Sequence, residues 1–132
     1  KGTLTAGFCV VAMAAGIATL SLLDAKLYER LEALGQRLAD GLANAARQAG
    51  IDLCVQRTGS MITPFFQKGP VRNYEDALRS DTGRFKAFHS GMLERGHYLP
   101  ASQYEAWFIS DAHRAEDIDR TVAAASEVFH RP

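Results

Sequence analysis

The sequence is short of cysteine, proline, tryptophan and lysine, and it carries no excess charge of either sign. In 132 residues there are 2 Cys, 4 Pro and 1 Trp, with 15 basic and 15 acidic side chains. Cys9 and Cys54 have no C-x-x-C spacing, which excludes a disulfide framework and a zinc knuckle and reads most simply as reduced thiols in a cytoplasmic protein. A formal net charge of zero leaves no basic face for nucleic acid and no acidic tail. The length suits one ordinary domain and has no room for separate cofactor and substrate domains. No G-x-S-x-G, P-loop or G-x-G-x-x-G pattern occurs. His89, His97, His113 and His130 show no i, i+3 or i+4 pairing, so no metal site is expected. The sequence starts at Lys1 with neither Met nor a signal-peptide n-region, which raises the expectation of a piece of something longer.

What is present begins with residues 6–23, 18 positions without a charge. Such a run reaches the lower limit for a membrane span. Its many Ala and Gly residues make it only mildly apolar, however, and Asp24, Lys26, Glu29 and Arg30 follow at once. A small-residue helix that is apolar all round suits packing between two layers of a larger protein better than lipid. Leu20, Leu23, Leu27, Leu31, Leu34, Leu38 and Leu42 then form one helical stripe. Asp24 can cap a fresh start, predicting a break near Leu23, and Gly50 suits the far end.

After Gly50 the period changes to two. Ile51, Leu53 and Val55 predict a half-buried strand, and Thr58-Gly59-Ser60 turns it into a second run, Met61 to Phe66. Pro64 argues that this second strand has a free edge or a bulge there. Short helices follow around Tyr74 to Leu78 and Phe85 to Leu93, with Phe85, Phe88, Met92 and Leu93 inward. Strand-like pieces are expected at 97–99 and 105–109. A last helix spans about Arg114 to Phe129, with Ile118, Val122, Ala125 and Phe129 inward. The fold class is α/β, in the two-layer α+β sense: a small antiparallel or mixed sheet packed on helices.

Few side chains suggest chemistry. Cys9 in an apolar helix and Cys54 in a strand suit inert buried thiols, although a Cys–His nucleophile stays open. Lys1, Lys26, Lys68 and Lys86 are the whole lysine inventory, and none has the apolar or cationic setting that a Schiff-base lysine needs. His113 reads as a helix-entry residue. Gly2-Thr3-Leu4-Thr5 stands before the uncharged helix, where backbone N–H groups and hydroxyls could receive a phosphate or carboxylate. A threonine there serves equally as an N-cap.

Several segments, in order along nearly the whole chain, resemble a known family. Gly2-Thr3-Leu4-Thr5 with Ala12 to Leu20 is similar to the "GTLSGNPLAMAAG" segment of the class III aminotransferases that use pyridoxal 5'-phosphate. Thr58 to Thr63, Val71 to Tyr74, Met92 to Gly96 and Ser102-Gln103-Tyr104-Glu105-Ala106 resemble the aminomutase branch of that family, which converts glutamate-1-semialdehyde to 5-aminolevulinate in tetrapyrrole synthesis. The resemblance implies a fold-type I enzyme, a cytoplasmic homodimer acting on a small amino substrate, with no nucleic acid or membrane partner. Residues 1–23 would then be the segment and helix leaving an absent cofactor domain, and 24–132 the C-terminal small domain. The aldimine lysine would lie upstream of this chain, so the chain alone would be inactive.

The resemblance also implies site residues. Thr3, with Gly2, matches the family threonine that reaches the cofactor phosphate of the neighbouring subunit. Glu105 matches a glutamate near the substrate; its alternative is a solvated strand carboxylate. No catalytic residue and no metal ligand are implied. There are departures: Ala6-Gly7-Phe8 stands for Gly-Asn-Pro, Trp107 for a glycine, and Arg114 for a Ser or Thr cap, which would lose the capping box with Asp117. They leave room for another class III aminotransferase, such as a β-amino-acid type. A non-catalytic interaction domain, docking a partner through the 6–23 helix, is the reading from a different class.

Overall fold

The computed structural model describes residues 3–131, and side chains from Cys9 onward. Five helices and three strands follow in the order α1 (Thr3–Leu20), α2 (Ala25–Gln48), β1 (Cys54–Thr58), β2 (Met61–Phe65), α3 (Tyr74–Ala77), α4 (Thr82–Glu94), β3 (Trp107–Phe108) and α5 (Ala115–Phe129). The expected class holds: helices on one small antiparallel sheet, ordered β1-β2-β3.

The break predicted near Leu23 is present. Asp24 accepts a hydrogen bond from the Leu27 amide at 2.7 Å, satisfying one of the orphan donors of a helix start. Between Cys9–Leu20 and Ala25–Gln48 the chain bends by 72°, and no single described helix is long and apolar enough to cross a membrane. The far end of α2 is a Schellman turn. Gly50 has φ 68°, its amide donates to the Arg47 carbonyl, and the Ile51 amide reaches back to Ala46.

Leu27, Leu38 and Leu42 of the stripe are buried, each contributing about 1.5–3 kcal/mol by leaving water. Leu20 and Leu23 are exposed because the bend takes them off the domain. The stripe is therefore a core face, shorter at its start than the leucine spacing suggests. Helix α1 begins at Thr3, earlier than expected, and from Cys9 on its side chains are exposed. Cys9 is among them, which corrects its reading as a buried thiol: nothing among the described residues covers the helix from Cys9 to Leu20.

Two glycines of α2 allow close approach. A Cβ on Gly35 would stand 2.5 Å from the Gly59 carbonyl oxygen in the β1–β2 turn, and one on Gly41 would stand 2.4 Å from Val122 Cγ2 on α5. In an open helix, Gly→Ala gains about 1 kcal/mol. At Gly35 the opposing atom is backbone and cannot rotate away. Gly35→Ala is therefore expected to cost about 1–3 kcal/mol in urea unfolding. Gly16→Ala, with nothing within 4 Å, should raise helicity by circular dichroism and leave the unfolding midpoint in place.

The hairpin pairs Cys54 with Phe65 through Thr58 with Met61. Gly59, at φ 57°, supplies the left-handed turn position. β2 is the central strand, but β3 meets it only at Met61 and Ile62. Pro64 thus sits beyond the third strand's reach, which gives the expected free edge. The stretch 97–99 is not a strand, and only Trp107–Phe108 of 105–109 is. Both stretches surround Pro100 and the turn at 102–105, where side-chain hydrogen bonds replace ladder bonds.

Aromatic rings fill the space between sheet and helices. Phe88 lies 5.0 Å from Phe129, 5.5 Å from Phe66 and 6.4 Å from Trp107, centroid to centroid. Phe85 and Met92 are buried beside it as expected. Leu93 is half exposed at 49%, one residue past the buried face of α4. The capping box of α5, expected to be lost with Arg114, is half kept: the Arg114 amide donates to Asp117 Oδ2 at 2.9 Å, while a guanidinium offers no acceptor for the return bond.

Candidate functional site

The residues from Pro100 to Ala106 form a turn rather than the start of a strand, and Glu105 stands in it. Its Oε2 accepts from the Ser102 amide at 3.1 Å, and its own amide donates to the Ser102 carbonyl at 3.2 Å. The Tyr104 amide donates to Ser102 Oγ at 3.2 Å. Glu105 is exposed, and among the described residues no cation pairs with it. Its carboxylate is therefore tethered through one oxygen while remaining open to solvent.

Two buried polar side chains anchor that turn. Gln103 is 4% exposed and Ser80 6%. Ser80 Oγ accepts from the Phe66 amide at 2.9 Å and donates to Gln103 Oε1 at 3.0 Å. Gln103 Nε2 donates to the Pro64 carbonyl at 2.7 Å. Buried polar groups left unpaired are costly, so a closed set of this kind fixes geometry. Sequence spacing gives no hint that Ser80 meets Gln103. The only available signal is that Gln103 lies two residues before Glu105.

Gly2 lies outside the described residues, as does the side chain of Thr3. The backbone of Thr3 opens α1, where a helix start favours an anion. Lys26, Lys68 and Lys86 are all exposed. Lys68 faces Asp52 at 3.7 Å, a solvated pair of little energetic weight. Burial pushes the Cys54 thiol pKa up, partly countered by a Val71 backbone hydrogen bond, so this sulfur is not an activated nucleophile.

The four histidines each serve a local bond. His89 Nε2 meets the Leu99 carbonyl at 3.1 Å, His97 Nδ1 meets Thr121 Oγ1 at 3.2 Å, and His130 Nδ1 meets the Ser126 carbonyl at 2.7 Å. His113 Nδ1 receives the Ser110 amide at 3.1 Å at the approach to α5, the helix-entry role expected of it. No three His, Cys, Asp or Glu side chains among the described residues are grouped to hold a metal ion. Near α5, the Arg114 backbone N–H and then Arg120 hold the Asp117 carboxyl below its ordinary range. Arg37, through its hydrogen bond, does the same for Asp119. A half-open cleft of about 700 Å³ between α4 and α5 has Phe66, Phe88 and Phe129 at its base and Arg84, Glu94 and Arg131 at its rim. It contains no nucleophile–base pair and does not include Glu105.

No protein-family model matches the chain. It is 60% identical over 119 residues to the glutamate-1-semialdehyde 2,1-aminomutase of Sorangium cellulosum, covering 90% of this chain and 27% of that protein. It is 51% identical over 122 residues to the same-named protein of Desulfatibacillum aliphaticivorans, covering 92% and 29%. The chain is a homologue of the C-terminal part of the glutamate-1-semialdehyde 2,1-aminomutases. It spans a little over a quarter of the length of these relatives.

The fold agrees with the wider class. An omega-transaminase from Sphaerobacter thermophilus superposes with a TM-score of 0.82 at 23% identity, over 90% of this chain and 27% of that one. A transaminase with pyridoxal phosphate bound gives 0.75 at 27% identity, over 90% and 26%. Of the departures from the family pattern noted in the sequence, Trp107 is one that the structure accounts for. Its ring is 5% exposed and lies parallel to Phe88 at an interplanar angle of 2°. The ring is thus taken into the core.

Proposed function

We propose that the parent protein is a pyridoxal-phosphate-dependent aminomutase converting glutamate-1-semialdehyde to 5-aminolevulinate, for tetrapyrrole synthesis, and that this chain is its C-terminal part. The observation that carries the reading is the 60% identity over 119 residues, 90% of the chain, to a protein named glutamate-1-semialdehyde 2,1-aminomutase. In this reading residues 1–23 leave the cofactor domain and 24–132 form the small domain of a cytoplasmic homodimer. The cofactor, when bound, supplies the carbanion stabilisation that lets an amino group change carbons.

The described residues do not by themselves fit that cofactor, because the lysines among them are exposed and none is desolvated. Their contribution is positional. Gly2 and Thr3 would donate to the cofactor phosphate across the subunit boundary, where the start of α1 favours negative charge. The tethered turn would hold Glu105 beside the substrate. Another class III aminotransferase is the second reading, favoured only by the superposition with transaminases.

Two assays separate these readings. The full-length protein, expressed from its natural reading frame, is expected to form 5-aminolevulinate from glutamate-1-semialdehyde without an external amine donor. Transamination of β-amino or ω-amino donors with no 5-aminolevulinate formed would move the assignment to the second reading. The chain by itself, given pyridoxal phosphate and then borohydride, is expected to show only scattered surface-lysine labelling by mass spectrometry. A single specifically reduced lysine would contradict its supporting role.

A further inference from the structure

We propose that Gln103 is a positioning residue that sets where the Glu105 carboxylate stands; this rests on the reading of Glu105 given above. The amide of Gln103 is used at both ends, accepting from Ser80 Oγ at 3.0 Å and donating to the Pro64 carbonyl at 2.7 Å. That carbonyl belongs to the part of the central strand that β3 does not pair. One side chain therefore does there what a third strand does at Met61 and Ile62. Ser80 in turn receives the Phe66 amide at 2.9 Å, so the amide is braced against two points of the β2 end.

Gln103 also lies between Ser102 and Glu105, the two residues whose reciprocal hydrogen bonds hold the carboxylate. With the amide fixed at 4% exposure, the turn has a buried foot and an exposed tip. Without it, the Ser80 hydroxyl loses its acceptor and the Pro64 carbonyl its donor, and the tip is tied only by its own local bonds. A buried amide satisfied at both ends, two residues from an exposed glutamate that pairs with no cation among the described residues, is the arrangement that orients a functional side chain from below.

The test uses the full-length protein with Gln103→Met, Glu105→Gln, the double variant, and Ser80→Ala as the milder lesion. Two readouts are taken, backbone hydrogen exchange and steady-state kinetics. Gln103→Met is expected to speed exchange across 100–106 by about tenfold or more while α2 and α5 keep their protection. It should lower kcat/KM by about five- to tenfold in the wild-type background and by less than about twofold in Glu105→Gln, because it acts through Glu105. Ser80→Ala should move both readouts in the same direction by less. Unchanged exchange at 100–106, or an equal kinetic loss in both backgrounds, overturns the proposal, since a purely structural role would act regardless of Glu105. If the wild-type protein forms no 5-aminolevulinate, the proposed function fails. The exchange result then decides on Gln103 alone, faster exchange supporting its role and unchanged exchange removing it.

Discussion

Trp107→Gly is expected to lower the melting temperature by roughly 10–25 °C, from the loss of about 3–5 kcal/mol. The indole is 5% exposed and packs beside Phe88 at 6.4 Å, and its removal opens a cavity that neighbouring rings close only in part. A glycine in a strand of two residues also frees the backbone where β3 has only Met61 and Ile62 as partners. Trp107→Phe, which keeps most of the volume, should recover the larger part of the loss. Thermal unfolding of the three proteins decides the matter. A shift of a degree or two for the glycine variant would mean that the ring does not belong to the core. The resemblance to class III enzymes implies a glycine at this position, so the experiment also measures what the tryptophan adds to this core.

Phe88→Ala carries the second large effect, again about 3–5 kcal/mol. Phe88 is 3% exposed and has three ring neighbours: Phe66 just after β2, Trp107 on β3 and Phe129 on α5. Its removal weakens the join between α4, the sheet and the last helix at one point. Phe88→Leu should cost markedly less, because an aliphatic side chain fills part of the volume. Combined with Trp107→Gly, the loss should fall short of the sum, since both substitutions empty adjoining space. Urea midpoints for the single and double variants give the coupling directly. Strict additivity would show that the two rings pack independently.

The parts of this fold that were legible in the sequence are those governed by local chemistry. Asp24, Gly50 and Gly59 announce a cap, a helix end and a turn by residue type, and the structure places each so. The leucine stripe from Leu27 on and the inward face of α5 follow from periodicity, as does the hairpin, although its first strand starts at Cys54 and leaves Ile51 and Leu53 outside it. Local pattern failed where tertiary context decides. His97 to Leu99 has strand-like composition, but its backbone leaves the α4 Schellman turn at Gly96 and finds no partner strand. The exposure of α1 could not be read from composition, because an apolar helix looks the same whether or not something covers it. For the site, Glu105 came from resemblance alone. Ser80 and Gln103, 23 residues apart, were invisible because a hydrogen bond between distant segments leaves no period in the sequence.

Helices α2 and α5 are the first and last elements of the packed domain, and they lock together across nearly its whole length. Arg37 meets Asp119 at 2.6 Å and Gly41 admits Val122, while Arg30 reaches Asp111, in the turn that leads into α5, at 2.6 Å. During synthesis α2 leaves the ribosome before α5 and must wait, with its leucine face uncovered, until α5 follows. This core therefore closes only after its last helix has emerged, and the nascent chain depends on staying soluble through that delay.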